Sequence, residues 1–233
     1  MYAVLFDIDG TLLHTGGAGQ LAFAEAFAAE FGVEELSGAV PFAGRSDRAI
    51  SLDLMNVHGV PPSEANWRRF RKSYLQRLPA ALAKRQGRVL PGVVELLDEL
   101  ATHDHALVGI LTGNIREGAH QKLTHYGLSD RFAFGGYGDE CHYRDEIASM
   151  AAAEAKRHGA DRRGASLELT GMMVIGDTVH DVTCARAIGA LAVAVPTGGA
   201  TREALAAAEP DLLLDDLSSP AELLKIIAAS NGR

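Results

Sequence analysis

The sequence predicts an α/β protein in which a mostly parallel sheet is interrupted, near its start, by an all-helical segment. Three observations carry that expectation. Short apolar runs of strand length recur along the chain, and each ends in a cluster of Gly, Asp, Thr or Asn. Helical patterns separate the runs, as crossovers between parallel strands require. Between Leu13 and Val89 the rhythm changes, with helical patterns and no evident strand. A chain of 233 residues, 47% hydrophobic and 22% charged, suits one large domain or a domain plus an insertion.

Ala3-Val4-Leu5-Phe6 reads as a central buried strand and runs into Asp7-Ile8-Asp9-Gly10-Thr11-Leu12-Leu13. Open α/β sheets bind ligands beyond the carboxyl ends of their strands, so these acids are expected to face a crevice. On an extended backbone Asp7 and Asp9 point to the same side, where like charges repel unless a cation or a shared proton intervenes. A divalent metal is the natural partner; an acidic turn is the alternative reading.

The inserted stretch opens on Gly16-Gly17-Ala18-Gly19 and continues with an amphipathic pattern through Phe23, Phe27 and Phe31. Gly44-Arg45-Ser46-Asp47 follows, then helical stretches around Leu52 to His58 and Trp67 to Leu78. Gly87 and Pro91-Gly92 read as the exit hinge.

After it come a helix over Val93 to Ala101, a strand over Ala106 to Leu111 ending in Thr112-Gly113-Asn114, and helices over Arg116 to Tyr126 and Ile147 to His158. A strand over Met172 to Ile175 ends in Gly176-Asp177-Thr178 and leads into a helix over Asp181 to Ile188. Leu191 to Val195 is a further buried strand before Pro196-Thr197-Gly198-Gly199, and a helix over Thr201 to Ala208 precedes a short strand at Leu212 to Leu214. The last helix spans Pro220 to Ala229, with Ser219 as N-cap and proline at its first position; residues 230–233 read as a frayed end.

The charge of −8, from 22 Lys+Arg against 30 Asp+Glu, argues against nucleic acid or an anionic membrane as partner. An anionic small substrate therefore needs a local basic pocket. Cys141 and Cys184 form no CxxC or zinc-like cluster and read as reduced thiols. No stretch approaches the ~20 apolar residues of a spanning helix, and no signal-like segment opens the chain. A cytoplasmic protein is expected.

In order and separation, Asp7/Asp9, Thr112-Gly113-Asn114, Tyr143-Arg144 and Gly176-Asp177 with Asp181 resemble the haloacid dehalogenase-like superfamily of hydrolases across the whole chain. Phe42-Ala43-Gly44-Arg45-Ser46-Asp47 is similar to the cap segment of its phosphoglycolate phosphatase-like members. The resemblance implies a Rossmann-like three-layer parallel-sheet core, residues 1–14 and 89–233, with an all-helical cap over residues 15–88.

It implies, further, a Mg²⁺-dependent phosphatase acting on a small phosphorylated metabolite, phosphoglycolate among the candidates. Asp7 takes the place of the nucleophile that forms an aspartyl-phosphate, and Asp9 that of the general acid/base. The dehalogenases of the superfamily lack the second aspartate, so its presence points to phosphoryl transfer. Asp177 completes a cation site with the Asp7 carboxylate and the backbone carbonyl of Asp9. Asp181 ligates directly, ligates through water, or orients its neighbours. Thr112 binds a phosphoryl oxygen, with backbone N–H groups of Gly113 and Asn114 at the start of the Arg116 helix as an anion site.

Arg144 stands where most relatives carry lysine, and arginine is always charged and can grip phosphate bidentately. Arg45 is the candidate for reaching from the cap to a second anionic group on the substrate. Simpler readings remain open at each position: a helix N-cap at Gly176-Asp177, a strand-to-helix turn capped by Asn114, a surface Arg144 paired with Asp145 or Glu146, and a solvent-facing Arg45 at a helix start. His14 and His180 read as solvated. Two other functions share the site residues. One is a phosphomutase of the β-phosphoglucomutase type, whose hinge histidine and cap lysine have no counterpart between Gly16 and Gln20. The other is a non-catalytic phosphate-binding module, which has no need of clustered carboxylates.

Overall fold

A computed structural model describes residues 1–139, 141, 143–163 and 169–230, with backbone alone at 162 and 163. Glu140 and His142, beside the Arg144 cluster, and residues 231–233 of the expected frayed end lie outside the described residues. In chain order the elements are β1 (Tyr2–Phe6), β2 (Leu13–His14), α1 (Ala18–Phe31), α2 (Asp47–Val57), α3 (Glu64–Lys84), β3 (Arg88–Val89) and α4 (Val93–Ala101). They continue with β4 (Ala106–Leu111), α5 (Arg116–His125), β5 (Phe134–Gly136), α6 (Arg144–Arg163), β6 (Gly171–Gly176), α7 (Val179–Ala187), β7 (Leu191–Ala194), α8 (Arg202–Ala207), β8 (Leu212–Leu213) and α9 (Ala221–Ala229).

Six strands form one parallel sheet in the order β5-β4-β1-β6-β7-β8. Alternation along β1 sends Tyr2, Val4 and Phe6 to one face, where α4, α5 and α9 cover them, and Ala3 and Leu5 to the other, under α6, α7 and α8. A sheet covered on both faces explains why its strands read as continuous apolar runs. Register then sets the function-bearing edge. Phe6 lies opposite both Ile110 and Ile175, so the ends of β4, β1 and β6 fall at one level with Thr112, Asp7 and Asp177 just beyond.

The helical insertion between β1 and β4 packs α1, α2 and α3 around a separate core of Phe23, Phe27, Leu54, Phe70, Tyr74 and Leu78. Phe70 sits at its centre, with ring centroids 4.7 Å from Phe23 and 5.1 Å from Phe27. Losing a buried phenylalanine costs about 3–5 kcal/mol, so one ring holds several helices together. Pro79 lies inside α3 and has no N–H to offer the carbonyl of Leu75, one turn back. Gln121 of α5 supplies the missing donor, its Nε2 standing 3.2 Å from that carbonyl, and so ties the insertion to the sheet layer.

Several sequence expectations need correction. The stretch from Leu13 to Val89 is bounded by strands after all: β2 and β3 pair antiparallel, Leu13 with Val89 and His14 with Arg88. Strands of two residues carry no alternation that a sequence could display. The three-residue β5 escaped for the same reason. α6 begins at Arg144 rather than Ile147, and α7 at Val179 rather than Asp181. The final helix starts one residue later than expected, with Pro220 in the N-cap position given to Ser219. Among the described residues no helix is long and apolar enough to cross a membrane.

Candidate active site

Asp7 is the first residue beyond β1, still anchored to the sheet by its N–H on the Ile175 carbonyl at 3.0 Å. Its carboxylate, that of Asp177 after β6 and that of Asp181 in the first turn of α7 offer oxygens all within 4.8 Å of one another, and all three residues are buried. Burial pushes the Asp7 carboxyl up to about 7; the Arg144 charge opposes the rise, and Asp181 and Asp9 add to it. Asp177 is pushed up to about 8, by burial first and then by the Asp7 and Asp181 charges. Such a set is under-neutralised, and a divalent cation is the partner that its chemistry fits.

Asp177 is held by the Thr11 hydroxyl and the Gly199 N–H, each 3.3 Å away. Glycine is required on both sides of it. A Cβ at Gly10, where φ is +91°, would lie 2.5 Å from its Oδ2, and one at Gly198 would lie 1.7 Å away.

The two oxygens of Asp181 are engaged. Oδ2 accepts from the Thr178 N–H at 3.0 Å and the Thr178 hydroxyl at 2.6 Å, closing the start of α7, while Oδ1 takes the Arg144 guanidinium. Of the three roles open to Asp181, the geometry favours orienting its neighbours. The N-cap of α7 is Thr178, so Asp177 is left for other work. Arg144 opens α6 as a buried side chain, with Nη1 3.6 Å from Asp7 Oδ1. Its burial opposes the charge, and Asp181 and Asp7 more than compensate, holding its pKa above the ordinary arginine value. The reading of Arg144 as a surface residue paired with Asp145 or Glu146 is thereby overturned.

Asp9 departs from expectation. β1 ends at Phe6, and the chain turns at once, with the Ile8 carbonyl accepting the N–H groups of Leu12 and Leu13 at 2.9 and 3.1 Å. The strand thus ends before Asp9, although Asp7 and Asp9 line one cavity and their charges interact. The Asp9 carboxylate lies outside the Asp7 cluster, and its Oδ2 instead accepts from Lys122 Nζ at 2.6 Å and Asn114 Nδ2 at 2.8 Å. Lys122 also donates to Asn114 Oδ1 at 2.5 Å. It was not singled out from sequence. The available signal is its place beside Ala119 and Leu123 on the buried face of α5, where an unpaired lysine would be costly.

Thr112 is fully buried, and its Oγ1 accepts from Asn114 Nδ2 at 2.8 Å and the Asn114 N–H at 3.3 Å. Of the two N–H groups expected to bind an anion, that of Asn114 rests on Thr112 Oγ1. Ile115, not Asn114, is the N-cap; its N–H donates to Asp47 Oδ2 at 2.8 Å, and the Arg116 N–H donates to Asp139 Oδ2 at 2.7 Å. Asp47 comes from α2 and returns a second bond, its N–H on the Gly113 carbonyl at 2.8 Å. A Cβ at Gly113 would strike the Arg45 carbonyl at 2.1 Å, so glycine permits this close seating of the insertion.

A cavity of about 400 Å³ joins these groups. Asp7, Asp9, Thr112, Asn114, Lys122, Arg144 and Asp177 line its sheet side, and Phe23, Phe42, Ile50 and Tyr74 line its helical side. Arg45 is on the wall too, paired with Asp53 at 2.6 Å rather than pointing freely into solvent. His14, expected to be solvated, is on the wall as well, its Nε2 2.9 Å from the Thr197 carbonyl.

The chain is 30% identical over 234 aligned residues to the phosphoglycolate phosphatase of Synechococcus elongatus, covering 97% of each protein. It is 29% identical to the probable phosphatase IndB of Dickeya dadantii, over 92% of this chain and 90% of that one. The fold is shared with the β-phosphoglucomutase of Clostridium difficile, at a TM-score of 0.71, 19% identity and 99% coverage of both chains. The profile of the haloacid dehalogenase-like hydrolases matches residues 4–186. On that match and the identity to the Synechococcus protein, the chain belongs to the haloacid dehalogenase-like hydrolase family and is an enzyme with phosphatase relatives.

Proposed function

We propose that the protein is a Mg²⁺-dependent phosphatase that hydrolyses a small phosphorylated metabolite through an aspartyl-phosphate on Asp7. The observation that carries this reading is the separation of two kinds of acid at the end of β1: Asp7, buried in a surplus of negative charge with Asp177, and Asp9, charge-balanced by Lys122. One suits a nucleophile beside a cation; the other suits a group that moves protons.

In the first step an Asp7 oxygen attacks phosphorus, the bond to the leaving oxygen breaks, and Asp9 gives that oxygen a proton. In the second Asp9 takes a proton from water, whose oxygen attacks the aspartyl-phosphate, releasing inorganic phosphate and restoring Asp7. The Asp7 and Asp177 carboxylates and the Asp9 carbonyl would hold the Mg²⁺, which would supply the positive charge that a dianionic phosphoryl group needs beside these acids. Arg144 adds a fixed positive charge beside Asp7, kept in line by Asp181. The Thr112 hydroxyl accepts from Asn114 through its oxygen, which leaves its own proton for a phosphoryl oxygen. Gly113 contributes backbone at the same place.

Residues 15–88 act as a cap over a core of residues 1–14 and 89–233, and the reaction takes place in the cytoplasm. A phosphoglycolate-like substrate is supported by the Synechococcus relative, with Arg45 released from Asp53 to meet a distal carboxylate. The mutase alternative rests on a shared fold alone, and the hinge from Gly16 to Gln20 carries neither a histidine nor a lysine. Phosphate release from a panel of phosphorylated metabolites with Mg²⁺ tests the reading. Release from a small acid phosphate supports it. An isomerised sugar phosphate without net phosphate release would replace it with the mutase.

A further inference from the structure

Among the described residues of the cavity wall, Lys122 is the buried cation that the mechanism above does not use. Its side chain is 5% exposed, while that of its partner Asp9 is 41% exposed to the cavity. Lys122 Nζ and Asn114 Nδ2 both bind the same oxygen of Asp9, Oδ2, at 2.6 and 2.8 Å. Lys122 also grips the Asn114 carbonyl oxygen at 2.5 Å, and Asn114 Nδ2 in turn meets the Thr112 hydroxyl. The result is a closed triangle of side chains in which one carboxylate oxygen is pinned and the other is left toward the cavity.

We propose that Lys122 is a positioning residue for the acid/base step: by pinning Asp9 Oδ2 together with Asn114, it fixes the carboxylate so that Oδ1 meets the leaving-group oxygen. The physical argument is one of rotamers and anchoring. Asp9 sits in a turn beyond the strand, so the sheet does not hold its side chain, and a half-exposed carboxylate rotates freely unless donors fix it. A compact ammonium suits the position, because one point donor reaches both Asp9 Oδ2 and Asn114 Oδ1. Proton transfer demands reach and alignment, so a loosened Asp9 loses efficiency without losing substrate affinity.

The inference rests on the acid/base role proposed for Asp9, and its test separates the two. Lys122→Met, Lys122→Arg, Asp9→Asn and Asp9→Asn/Lys122→Met are compared on an alkyl phosphate and on p-nitrophenyl phosphate, whose leaving group departs without a proton. Lys122→Met is expected to lower kcat/KM on the alkyl phosphate by about 10- to 100-fold with KM changed less than about twofold, and on the aryl phosphate by less than about threefold. The double variant should be no slower than Asp9→Asn alone, because Lys122 acts through Asp9. Should Lys122→Met not fold, Lys122→Arg must show the same leaving-group dependence. Equal losses on both substrates, a change in KM alone, or additive losses in the double variant would overturn the positioning role. If Asp9→Asn itself leaves the alkyl phosphate reaction intact, the reading of Asp9 fails, and with it any role for Lys122 through that residue.

Discussion

Two acidic sites lie within three residues of each other at the end of β1, and they are built on opposite electrostatic plans. Around Asp7 three buried carboxylates face one guanidinium, and burial and mutual repulsion raise the Asp7 and Asp177 carboxyls to about 7 and about 8. Around Asp9 one carboxylate meets one ammonium and one amide, and the charges cancel. An unbalanced site stores a demand for positive charge, whereas a balanced one holds a carboxylate in place. The turn after Asp7 creates the difference by sending the two side chains to different neighbours.

Removing the nucleophile should break the comparison most severely. Asp7→Asn is expected to lower kcat by about 10⁴-fold or more, since in the proposed mechanism this residue forms the covalent bond. The same variant should melt at or above the wild-type temperature without metal, because a repelled carboxylate has become neutral. Turnover near wild type would place the nucleophile elsewhere. Asp9→Asn should be milder, about 10²–10⁴-fold on a poor leaving group. A loss under tenfold would remove the contrast between the sites.

Stability against pH sharpens the same contrast. The folded-state pKa values of Asp7 and Asp177 lie above the unfolded aspartate value near 3.9, so the native state binds more protons between that value and about 7 to 8. In EDTA the melting temperature should therefore fall as pH rises through this window; Asp47, raised to about 6 chiefly by burial, adds to the fall in its lower half. Saturating Mg²⁺ should restore the loss at the upper end, and about 2.7 kcal/mol is expected at a hundred times Kd. Calcium should stabilise as well while inhibiting turnover, through its larger and looser shell. A melting temperature indifferent to both pH and metal would mean that the Asp7 cluster is not under-neutralised.

What was legible in the sequence follows from chain proximity. Asp7, Thr112 and Asp177 each come directly after an apolar run, and a parallel sheet whose strands end level gathers such residues automatically. Fold class, strand ends and the cation pole could thus be read. The pairing of Asp9 could not, because its lysine partner lies 113 residues away, on a helix face rather than at a strand end. The acids that hold the start of α5 were hidden for a related reason. The Ile115 and Arg116 N–H groups are taken by Asp47 and Asp139, and nothing local to Thr112-Gly113-Asn114 announces either. The ribbon of β2 and β3 was hidden by its length, two residues on each side.

The smallest expected effect is at the cavity's helical wall. Arg45→Ala should reduce kcat/KM about tenfold or more for a substrate with a distal carboxylate and leave p-nitrophenyl phosphate within about twofold, because the contact is made away from the reacting group. Equal losses would assign Arg45, through its pair with Asp53, to the seating of α2 instead.

The division of labour at the end of β1 is tested most directly by identifying the residue that becomes phosphorylated. Asp9→Asn, slowed in the second step, is mixed with substrate and Mg²⁺, quenched in acid, reduced with borohydride and mapped by peptide mass spectrometry. Homoserine at position 7, present only when substrate and Mg²⁺ were both supplied, is the result the account predicts. Homoserine at another aspartate, or none while phosphate is still released, would contradict it.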